Sequence, residues 1–325
     1  MKKIMSVLLL FTLTLCGCQS QSSPLSDKQF CLDTIVQITL YDSQSKDILN
    51  HCFDICNEFE LIFSATNKKS ELYKINHNSH KLQEQTISKD LYQVIKEGLR
   101  YSELSNGSFD ITIGSISSLW DFQSDDPLLP DQAIIEDNLS NVSYKNIKLS
   151  KNKITYLNED TMIDLGAIAK GYIADKIKDY LLEENVKSAL INLGGNVLCI
   201  GNKYNEKFTI GLTDPIDTSQ SILSLKIDDL SIVTSGTYQR YFELDNKKYH
   251  HILNPQTGYC YDNGLSSVTI ISNSSLQGDA LSTVCFSLGK EKGIELLNTM
   301  DNVYGCFIDD HNNISYSDGF KQYVK

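Results

Sequence analysis

Two short stretches combine charged or hydroxyl side chains with small neighbours. The first, "GDALST" at 278–283, places Asp279, Ser282 and Thr283 on one turn of a predicted helix, because residues three and four positions apart share a face. A carboxylate, hydroxyls and a neighbouring main-chain carbonyl form the oxygen ligand set that Mg²⁺ uses, with water and substrate phosphates completing its coordination. The stretch therefore indicates a metal site. The alternative is that Asp279 only caps the helix that begins there.

The second stretch is "DLGAIAKGYIAD" at 164–175, in which glycines and alanines surround Lys170. A lysine is a point charge that binds phosphate, and small residues at a helix start let main-chain N–H groups approach an anion. The stretch is not a Walker A loop, because Tyr172 stands where a hydroxyl ligand is expected. Together the two stretches predict a phosphate-and-metal site.

Further glycine-bearing clusters are typical of turns when each is taken singly. They are "GSFDITIG" (107–114), "INLGGN" (191–196), "TSGTYQRY" (234–241) and "HHILNPQTG" (250–258). In the last, proline fixes φ and Gly258 is free to adopt positive φ. Their combination with the two stretches above favours a shared site over separate turns.

The elements that must position these residues follow from hydrophobic periodicity. Helices are predicted at 45–63, 88–104, 279–288 and 290–299, with a further helix after Asp164. A hairpin is predicted at 147–157, and strands near 33–42, 187–192, 207–213, 221–227, 231–234, 265–273, 304–308 and 314–317. Strands adjacent in sequence with helices between them predict an α+β fold, with a largely antiparallel or mixed sheet and flanking helices in one continuous domain.

Length and charge narrow the class of protein. The chain has 325 residues, 41% of them hydrophobic, which is enough for a sizeable core. Its formal net charge of −12 argues against binding nucleic acid or anionic membranes through a basic surface.

The N-terminus predicts export. Lys2 and Lys3 precede an apolar run at 4–15 that is short for a membrane span, as in a secretory signal. The run ends in "LCGC", which resembles a bacterial lipobox with Cys18 as the lipidated residue. We therefore expect a signal peptide at 1–17, a polar tether at 18–28 and a folded domain at 29–325, anchored on the extracytoplasmic face of the membrane. An ordinary cleaved signal is the alternative.

Seven cysteines follow Cys18, an odd number without the spacing of a disulfide framework. Cys52 and Cys56 share a helix face and are predicted to be small core residues. A metal site there would need further ligands, and His51 points to another face of the helix.

The order and spelling of the motifs resemble the FAD:protein FMN transferase (ApbE) family, from about residue 31 to residue 289. Six motifs occur in the family's order. They are "FSATNKKSELYKIN" (63–76), "GSFDITIGSISSLWDF" (107–122), "DLGAIAKGYIAD", "INLGGN", the pair "TSGTYQRY" and "HHILNPQTG", and "GDALST". The resemblance implies an ApbE-like fold and an enzyme that binds FAD and Mg²⁺. Such an enzyme transfers the FMN part of FAD to a Thr or Ser hydroxyl of a target protein and releases AMP.

The resemblance also implies roles for individual residues. Around the metal it places the carbonyl of Ala167 and the side chains of Asp279, Ser282 and Thr283. Toward FAD it places Leu32, Thr66, Ser108, Phe109, Asp110, Asp164, Lys170 and Leu253, with Ile252 as the neighbouring candidate for the last position. His251 matches the family's reactive-site histidine and is the expected general base, because an imidazole pKa near 6.5 suits proton removal at neutral pH. His250 is its rival.

The chain departs from the family at three positions. Leu32-Asp33-Thr34 stands where Met-Gly-Thr is common, and Ser64-Ala65-Thr66 where a Ser-Thr-Tyr type stretch is common. Thr66 cannot stack on a flavin as tyrosine can, so the stacking partners are left open. Asn254 replaces a common Asp before Pro255, a modest change in a turn.

Three other functions are compatible with the sequence. Water as acceptor would make the same site an FAD pyrophosphatase, and loss of chemistry would leave a flavin-binding lipoprotein. A solute-binding lipoprotein would explain the anchor but none of the motifs. For a transferase, the expected acceptor is an extracytoplasmic electron-transfer flavoprotein.

Overall fold

The computed structural model describes residues 23–122, 124 and 126–325. The predicted signal peptide and Cys18 lie outside the described residues. The helices are α1 Lys46–Phe63, α2 Glu71–Asn76, α3 Lys89–Leu104, α4 Gly114–Ser117, α5 Gln132–Leu139, α6 Ala169–Glu183, α7 Ser275–Leu288 and α8 Lys290–Asn298. The strands are β1 Leu25–Cys31, β2 Thr34–Leu40, β3 Gln85–Thr86, β4 Ile147–Ser150, β5 Lys153–Tyr156, β6 Ala189–Leu193, β7 Asn196–Ile200, β8 Phe208–Thr213, β9 Ser221–Ile227, β10 Ser231–Gly236, β11 Tyr241–Leu244, β12 Lys247–His250, β13 Leu265–Ser272, β14 Tyr304–Asp309 and β15 Ile314–Tyr316.

An eight-stranded sheet in the order β1-β2-β6-β7-β10-β13-β14-β15 forms the centre of the fold. Every neighbouring pair in it is antiparallel. Three small sheets accompany it, in the orders β3-β5-β4, β8-β9 and β11-β12. Helices pack against the central sheet, so the predicted α+β class is confirmed.

Helix α1 forms where its sequence predicts an amphipathic helix. Ser45 caps it by accepting a hydrogen bond from the amide of Ile48, and residues at helical spacing are buried: Leu49, Cys52, Phe53, Ile55, Cys56 and Phe63. Cys52 and Cys56 are both 0% exposed, in agreement with their predicted place in the core. The seven cysteines in the described part of the chain are all free thiols in the structure.

Helices α6 and α7 meet at a close crossing. Gly171 makes it possible, because a Cβ at this position would lie 2.3 Å from the carbonyl oxygen of Ser275. The partly buried carboxylate of Asp175 then accepts hydrogen bonds from the amides of Ser275 and Leu276, at 2.8 and 3.0 Å, and from the hydroxyl of Ser274. A carboxylate of α6 thus satisfies free N–H groups at the start of α7 and fixes the register of the two helices.

One element boundary differs from the sequence-based expectation, and another, the helix after Asp164, is confirmed. Helix α7 begins at Ser275 with Ser274 as its N-cap, so Asp279 lies within the helix. The alternative that Asp279 caps this helix is therefore wrong. Helix α6 begins at Ala169, which leaves Asp164 in the loop before it.

The folded region also starts earlier than residue 29. Strand β1 begins at Leu25 and pairs with β2 over its whole length, so residues 25–28 of the predicted tether belong to the sheet. Ser26, Asp27 and Lys28 have polar side chains on an edge strand that is mostly exposed, and the composition of this segment therefore resembles that of a linker. The two strands are joined by Leu32 and Asp33, both with φ of 55°, a turn that favours Gly or Asn and that this sequence does not signal.

None of the helices in the part of the chain that the structure describes is long and apolar enough to cross a membrane.

Candidate functional site: an oxygen cluster beside a lysine and a histidine

The centre of the site is the carboxylate of Asp279 on α7, which is 5% exposed. Its Oδ2 accepts a hydrogen bond of 2.8 Å from the main-chain amide of Gly171. In a continuous helix that amide would bind the carbonyl of Ala167, four residues earlier. No N–H group among the described residues donates to the Ala167 oxygen. Because α6 begins at Ala169, the Gly171 amide is one of the first-turn N–H groups that lack a partner within the helix, and Asp279 satisfies it, while the Ala167 carbonyl accepts no N–H from the described residues.

Hydroxyl groups extend this oxygen cluster. The Oγ atoms of Ser235 and Ser282 are 2.7 Å apart, and Ser235 Oγ lies 3.0 Å from Oγ1 of Thr283. Ser282 also donates to the carbonyl of Asp279 at 2.8 Å. Strand β10 thus presents Ser235 to the same turn of α7 that carries the two predicted hydroxyls.

The electrostatics of Asp279 indicate that it is built to face positive charge. Burial raises the pKa of its carboxyl, whereas the Lys170 charge, the Gly171 amide and Asn196 oppose this rise. Asn196 is 1% exposed, and its amide Nδ2 makes no well-formed hydrogen bond among the described residues. A buried acid with an unsatisfied amide beside it has not completed its polar contacts.

This donor set fits a hard cation. Over the described residues, no cluster of three or more His, Cys, Asp and Glu side chains has the geometry of a metal site. One carboxylate, hydroxyls and a free carbonyl are instead the ligands that suit Mg²⁺, which keeps several waters and takes others from substrate phosphates. Ala167, Asp279, Ser282 and Thr283 are the residues that would hold it.

Asp164 and Lys170 border this cluster from the loop and first turn of α6. Oδ1 of Asp164 accepts from the amide of Gly166 at 2.8 Å, and Oδ2 accepts from the hydroxyl of Ser117 at 2.7 Å. Lys170 is partly exposed and donates through Nζ to the carbonyl of Gly166 at 3.0 Å. Burial raises the pKa of Asp279 and the Lys170 charge opposes that rise, whereas burial lowers the pKa of His251 and the Lys170 charge adds to that fall. Lys170 is therefore within electrostatic reach of the acid and of the imidazole.

The two adjacent histidines have different surroundings. His250 is buried, its Nε2 lies 3.0 Å from the carbonyl of Tyr261, and its Nδ1 accepts from the amide of Ile252 at 3.3 Å. Both ring nitrogens therefore bind main-chain groups, and burial lowers the pKa of this imidazole to about 4. These contacts are those of a structural histidine.

His251 is partly exposed and is held by Arg240. Its amide donates to the Arg240 carbonyl at 3.1 Å, and its Nδ1 lies 3.2 Å from the same oxygen. Because a carbonyl can only accept, Nδ1 carries the proton and Nε2 is the unprotonated nitrogen. No described residue makes a hydrogen bond to Nε2, which is thus available to accept a proton. Burial, followed by the Arg240 charge, lowers the pKa of His251 to about 3, so the ring is neutral at pH 7.

The residues predicted to line the flavin organise the loop after α3. Asp110 is 6% exposed, and its carboxylate accepts from the amide and hydroxyl of Thr112 and from the amide of Tyr144 at 2.7–2.8 Å. Burial raises the pKa of this carboxyl. The carbonyl of Ser108 accepts from the hydroxyl of Tyr261 at 2.6 Å. Phe109, between Ser108 and Asp110 in the sequence, is buried. Both carboxylate oxygens of Asp110 are therefore engaged in holding the loop.

The three remaining predicted residues lie in separate settings. Leu32 is partly exposed in the β1–β2 turn, and Thr66 is an exposed residue of the loop after α1. Leu253 is 8% exposed and belongs to a small core with Trp120 and Phe242. No hydrogen bond in the described part of the chain joins Leu32 or Thr66 to Lys170 or His251. The structure thus brings the predicted acid, hydroxyl and lysine residues together. It does not connect the residues predicted to stack on the flavin, Leu32 and Thr66, to them by hydrogen bonds.

Four residues of the site were not predicted as site residues: Ser117, Asn196, Ser235 and Arg240. All four stand inside quoted motifs, so a motif-wide search would have included them. Arg240 acts on His251 through its main-chain carbonyl. No property of its side chain signals that contact in the sequence.

The model of the ApbE family matches residues 32–308, and the chain belongs to this family. It is 37% identical over 285 residues to an FAD:protein FMN transferase of Klebsiella pneumoniae, covering 87% of this chain and 88% of that protein. It is 30% identical over 314 residues to an FAD:protein FMN transferase of Treponema pallidum, covering 90% and 86%. The crystal structure of the ApbE protein from Thermotoga maritima superposes with a TM-score of 0.86 at 30% identity, covering 93% of this chain and all of that one. A flavin transferase ApbE from Vibrio cholerae, with a TM-score of 0.82 at 23% identity, shares the fold.

Proposed function

We propose that this protein is an FAD:protein FMN transferase that uses Mg²⁺ to move the FMN part of FAD onto a Thr or Ser hydroxyl of a target protein, releasing AMP. The observation that carries the proposal is the oxygen cluster of Asp279, Thr283 and the free Ala167 carbonyl beside Lys170 and the open Nε2 of His251. The names of the relatives and the family membership support it.

Phosphoryl transfer depends mainly on positioning and on neutralising charge. Lys170 would bind the pyrophosphate of FAD as a point charge, and Asp164, fixed by Ser117 and Gly166, would hold another part of the cofactor. Ala167, Asp279, Ser282 and Thr283 would hold Mg²⁺, which supplies electrophilic assistance at the phosphate oxygens when bound.

His251 would act as the general base. The acceptor hydroxyl attacks the phosphorus of the FMN phosphate, its proton passes to Nε2 of His251, and the bond from that phosphorus to the AMP oxygen breaks. Arg240 keeps the imidazole in the required tautomer by accepting from Nδ1. A pKa of about 3 keeps Nε2 unprotonated at neutral pH, but it also makes the His251 imidazole a weak base.

The proposal extends to location and partner. A lipid anchor at Cys18 would hold the enzyme on the extracytoplasmic face of the bacterial membrane, and the acceptor would be an electron-transfer flavoprotein on the same side. The net charge of −12 supports a protein acceptor over nucleic acid.

The decisive experiment incubates the full chain with FAD, MgCl₂ and surface-exposed electron-transfer proteins of the same source. We expect an acceptor whose intact mass increases by one FMN with loss of water, together with AMP, and neither product in the presence of EDTA. Formation of FMN and AMP without an adduct would make the protein a pyrophosphatase. Intact FAD in excess Mg²⁺ would make it a flavin-binding protein.

The metal arm of this experiment uses Asp279→Asn. An asparagine keeps an oxygen for the Gly171 amide but removes the charge that a divalent cation needs. We expect the Mg²⁺ concentration for half-maximal activity to rise by about tenfold or more, as for loss of a charged contact. An unchanged Mg²⁺ dependence would remove Asp279 from the metal site.

A further inference from the structure

Trp120, the single tryptophan of the chain, lies outside the oxygen cluster and has no part in the chemistry proposed above. It follows helix α4 and is 7% exposed. Its indole Nε1 donates a hydrogen bond of 3.1 Å to the main-chain carbonyl of Gly258. A buried indole N–H needs an acceptor, and this one lies in a turn 138 residues later in the chain.

The first of two hairpins that Trp120 contacts is β11–β12. Its ring centroid lies 6.3 Å from that of Phe242 on β11 and 6.0 Å from that of Tyr249 on β12. Phe242 and Tyr249 are partners in the register of the two strands. The indole therefore packs on a cross-strand pair and restrains both strands of this hairpin.

The second hairpin runs from residue 252 to residue 261. It is closed by the amide of Asn254, which donates to the carbonyl of Tyr259 at 2.7 Å. Trp120 contacts it twice, through the hydrogen bond to Gly258 and through an edge contact with the Tyr259 ring at 5.9 Å between centroids. The same indole thus restrains both hairpins.

His251 is the residue between these hairpins. Strand β12 ends at His250, and the second hairpin begins at residue 252. The amide and Nδ1 of His251 both lie near the carbonyl of Arg240, at 3.1 and 3.2 Å, and Arg240 directly precedes β11. The contact that keeps the proton on Nδ1 therefore depends on how the two hairpins are aligned.

The segment that carries Trp120 is itself fixed to the site. Three residues before the tryptophan, Ser117 donates to Oδ2 of Asp164 at 2.7 Å. Ile116 of α4 belongs to the same small core as Trp120 and Phe242. The indole is therefore presented by an anchored segment, and it can hold the hairpins in one position.

We propose that Trp120 is the positioning residue for His251, holding the two hairpins in the alignment that keeps the proton on Nδ1 and leaves Nε2 free. The proposal rests on the proposed function only for the role of His251 as general base. Ring packing restrains the first hairpin and the indole hydrogen bond restrains the second. Removing the N–H takes this donor from the carbonyl of the buried Gly258 and loosens the second hairpin against the first.

The first test observes the imidazole directly and involves no flavin transfer. The full chain is labelled with ¹⁵N-histidine, and long-range ¹H–¹⁵N spectra are recorded at pH 7, with His251 assigned by the signals lost in His251→Gln. Wild type should show one protonated and one unprotonated ring nitrogen for His251. Trp120→Phe keeps an aromatic ring and removes the N–H, so the two ¹⁵N shifts should move toward each other as both tautomers become populated.

Phe122→Leu is the matched control. The Phe122 ring stacks on Trp120 at 5.5 Å between centroids, so this variant loses aromatic packing in the same cluster and keeps the indole N–H. We expect the wild-type His251 shifts. Circular dichroism and Tm show that each variant is folded.

The second test is kinetic. Trp120→Phe should lower kcat for flavin transfer by about three- to tenfold, as for loss of a neutral hydrogen bond, with KM for FAD and the Mg²⁺ dependence unchanged within about twofold. Phe122→Leu should keep the wild-type kcat. A general loss of stability would not produce this separation of kcat from KM.

The wild-type chain supplies a check that needs no variant. Its single indole N–H should be protected from exchange in D₂O, and rapid exchange would overturn the proposal. An unchanged His251 spectrum in folded Trp120→Phe would also overturn it, as would equal shifts in Trp120→Phe and Phe122→Leu. A shifted spectrum with unchanged transfer would uphold the positioning by Trp120 and count against His251 as the base, which is a failure of the proposed mechanism alone.

Discussion

Lys170 affects two groups of opposite character in the site. Burial raises the pKa of the Asp279 carboxyl, and the positive charge of Lys170 opposes that rise. Burial lowers the pKa of the His251 imidazole, and the charges of Arg240 and Lys170 lower it further. Because Gly166 and Ala167 are small, they leave the main chain around Lys170 accessible. This explains why small residues precede the lysine in "DLGAIAKG".

Lys170→Ala should lower kcat/KM for FAD by about tenfold to a hundredfold, since a hydrogen bond to a charged group contributes about 1.5–3 kcal/mol. The fold should survive, because Nζ is bonded to a single carbonyl and the side chain is partly exposed. Steady-state kinetics with circular dichroism measure both effects. Lys178→Ala on the same helix is the matched control, and an unfolded Lys170→Ala would mean that the lysine only supports the helix start.

The two histidines should separate chemistry from structure. His251→Ala removes the open Nε2, and flavin transfer per folded molecule should fall by about a hundredfold or more, as for loss of a general base. His250→Ala removes contacts to Tyr261 and Ile252 and should lower Tm while folded molecules keep activity. Intact-mass assays of the acceptor and thermal melts measure the pair. Unimpaired flavinylation by His251→Ala would exclude this histidine from the mechanism.

At the scale of elements, the crossing of α6 and α7 builds the site. Gly171 allows the contact, Asp175 fixes its register, and the Gly171 amide in the first turn of α6 binds Asp279. The crossing thus brings the buried acid of α7 against the first turn of α6. Substitutions at the crossing should therefore affect stability and metal use together.

Gly171→Ala should destabilise the protein by about 1–3 kcal/mol, the usual cost of overpacking. It should also weaken Mg²⁺ binding, so the Mg²⁺ concentration for half-maximal activity should rise. The added Cβ would lie 2.3 Å from the carbonyl oxygen of Ser275 and 2.6 Å from Cα of Leu276, both main-chain atoms that cannot move aside. Urea unfolding measures the change. Gly166→Ala is the comparison, because its Cβ would meet only the side-chain Oδ1 of Asp164, at 3.1 Å, and it should retain wild-type stability.

At the scale of the whole molecule, the buried ionisable groups set the pH dependence of stability. His250 has a native pKa of about 4 against an ordinary 6.5. Below pH 6.5 the His250 imidazole of the unfolded chain is protonated, whereas the native imidazole stays neutral down to about pH 4. The unfolding free energy therefore falls as the pH decreases through this window, by up to roughly 3 kcal/mol for this group.

His250→Gln should flatten that part of the profile. Asp110, Asp175 and Asp279 have raised pKa values, so they bind protons more readily in the native state and act in the opposite sense. The difference between wild type and variant isolates the histidine. Urea titrations between pH 4 and pH 7 measure it, and an identical pH dependence for both proteins would contradict the assigned burial effect.

Much of the fold was predictable because local patterns dominate it. The amphipathic spacing of α1 and α3 and the hairpin of β4 and β5 appear where the sequence indicates them. Strand β1 was missed because an exposed edge strand has no buried alternation to reveal it. The start of α7 was misplaced because Ser274, rather than the more conspicuous Asp279, satisfies the first amides.

The sequence by itself determined the α+β class, the motif set of the family and the types of residue that meet phosphate and metal. Those features depend on residue identity and short-range spacing. Only the tertiary structure decided that Asp279 takes the amide of Gly171 and that Arg240 orients His251 through a carbonyl. Each of these contacts joins elements distant in sequence through main-chain atoms or packing, and such contacts are set by the way the elements pack against one another rather than by any local pattern.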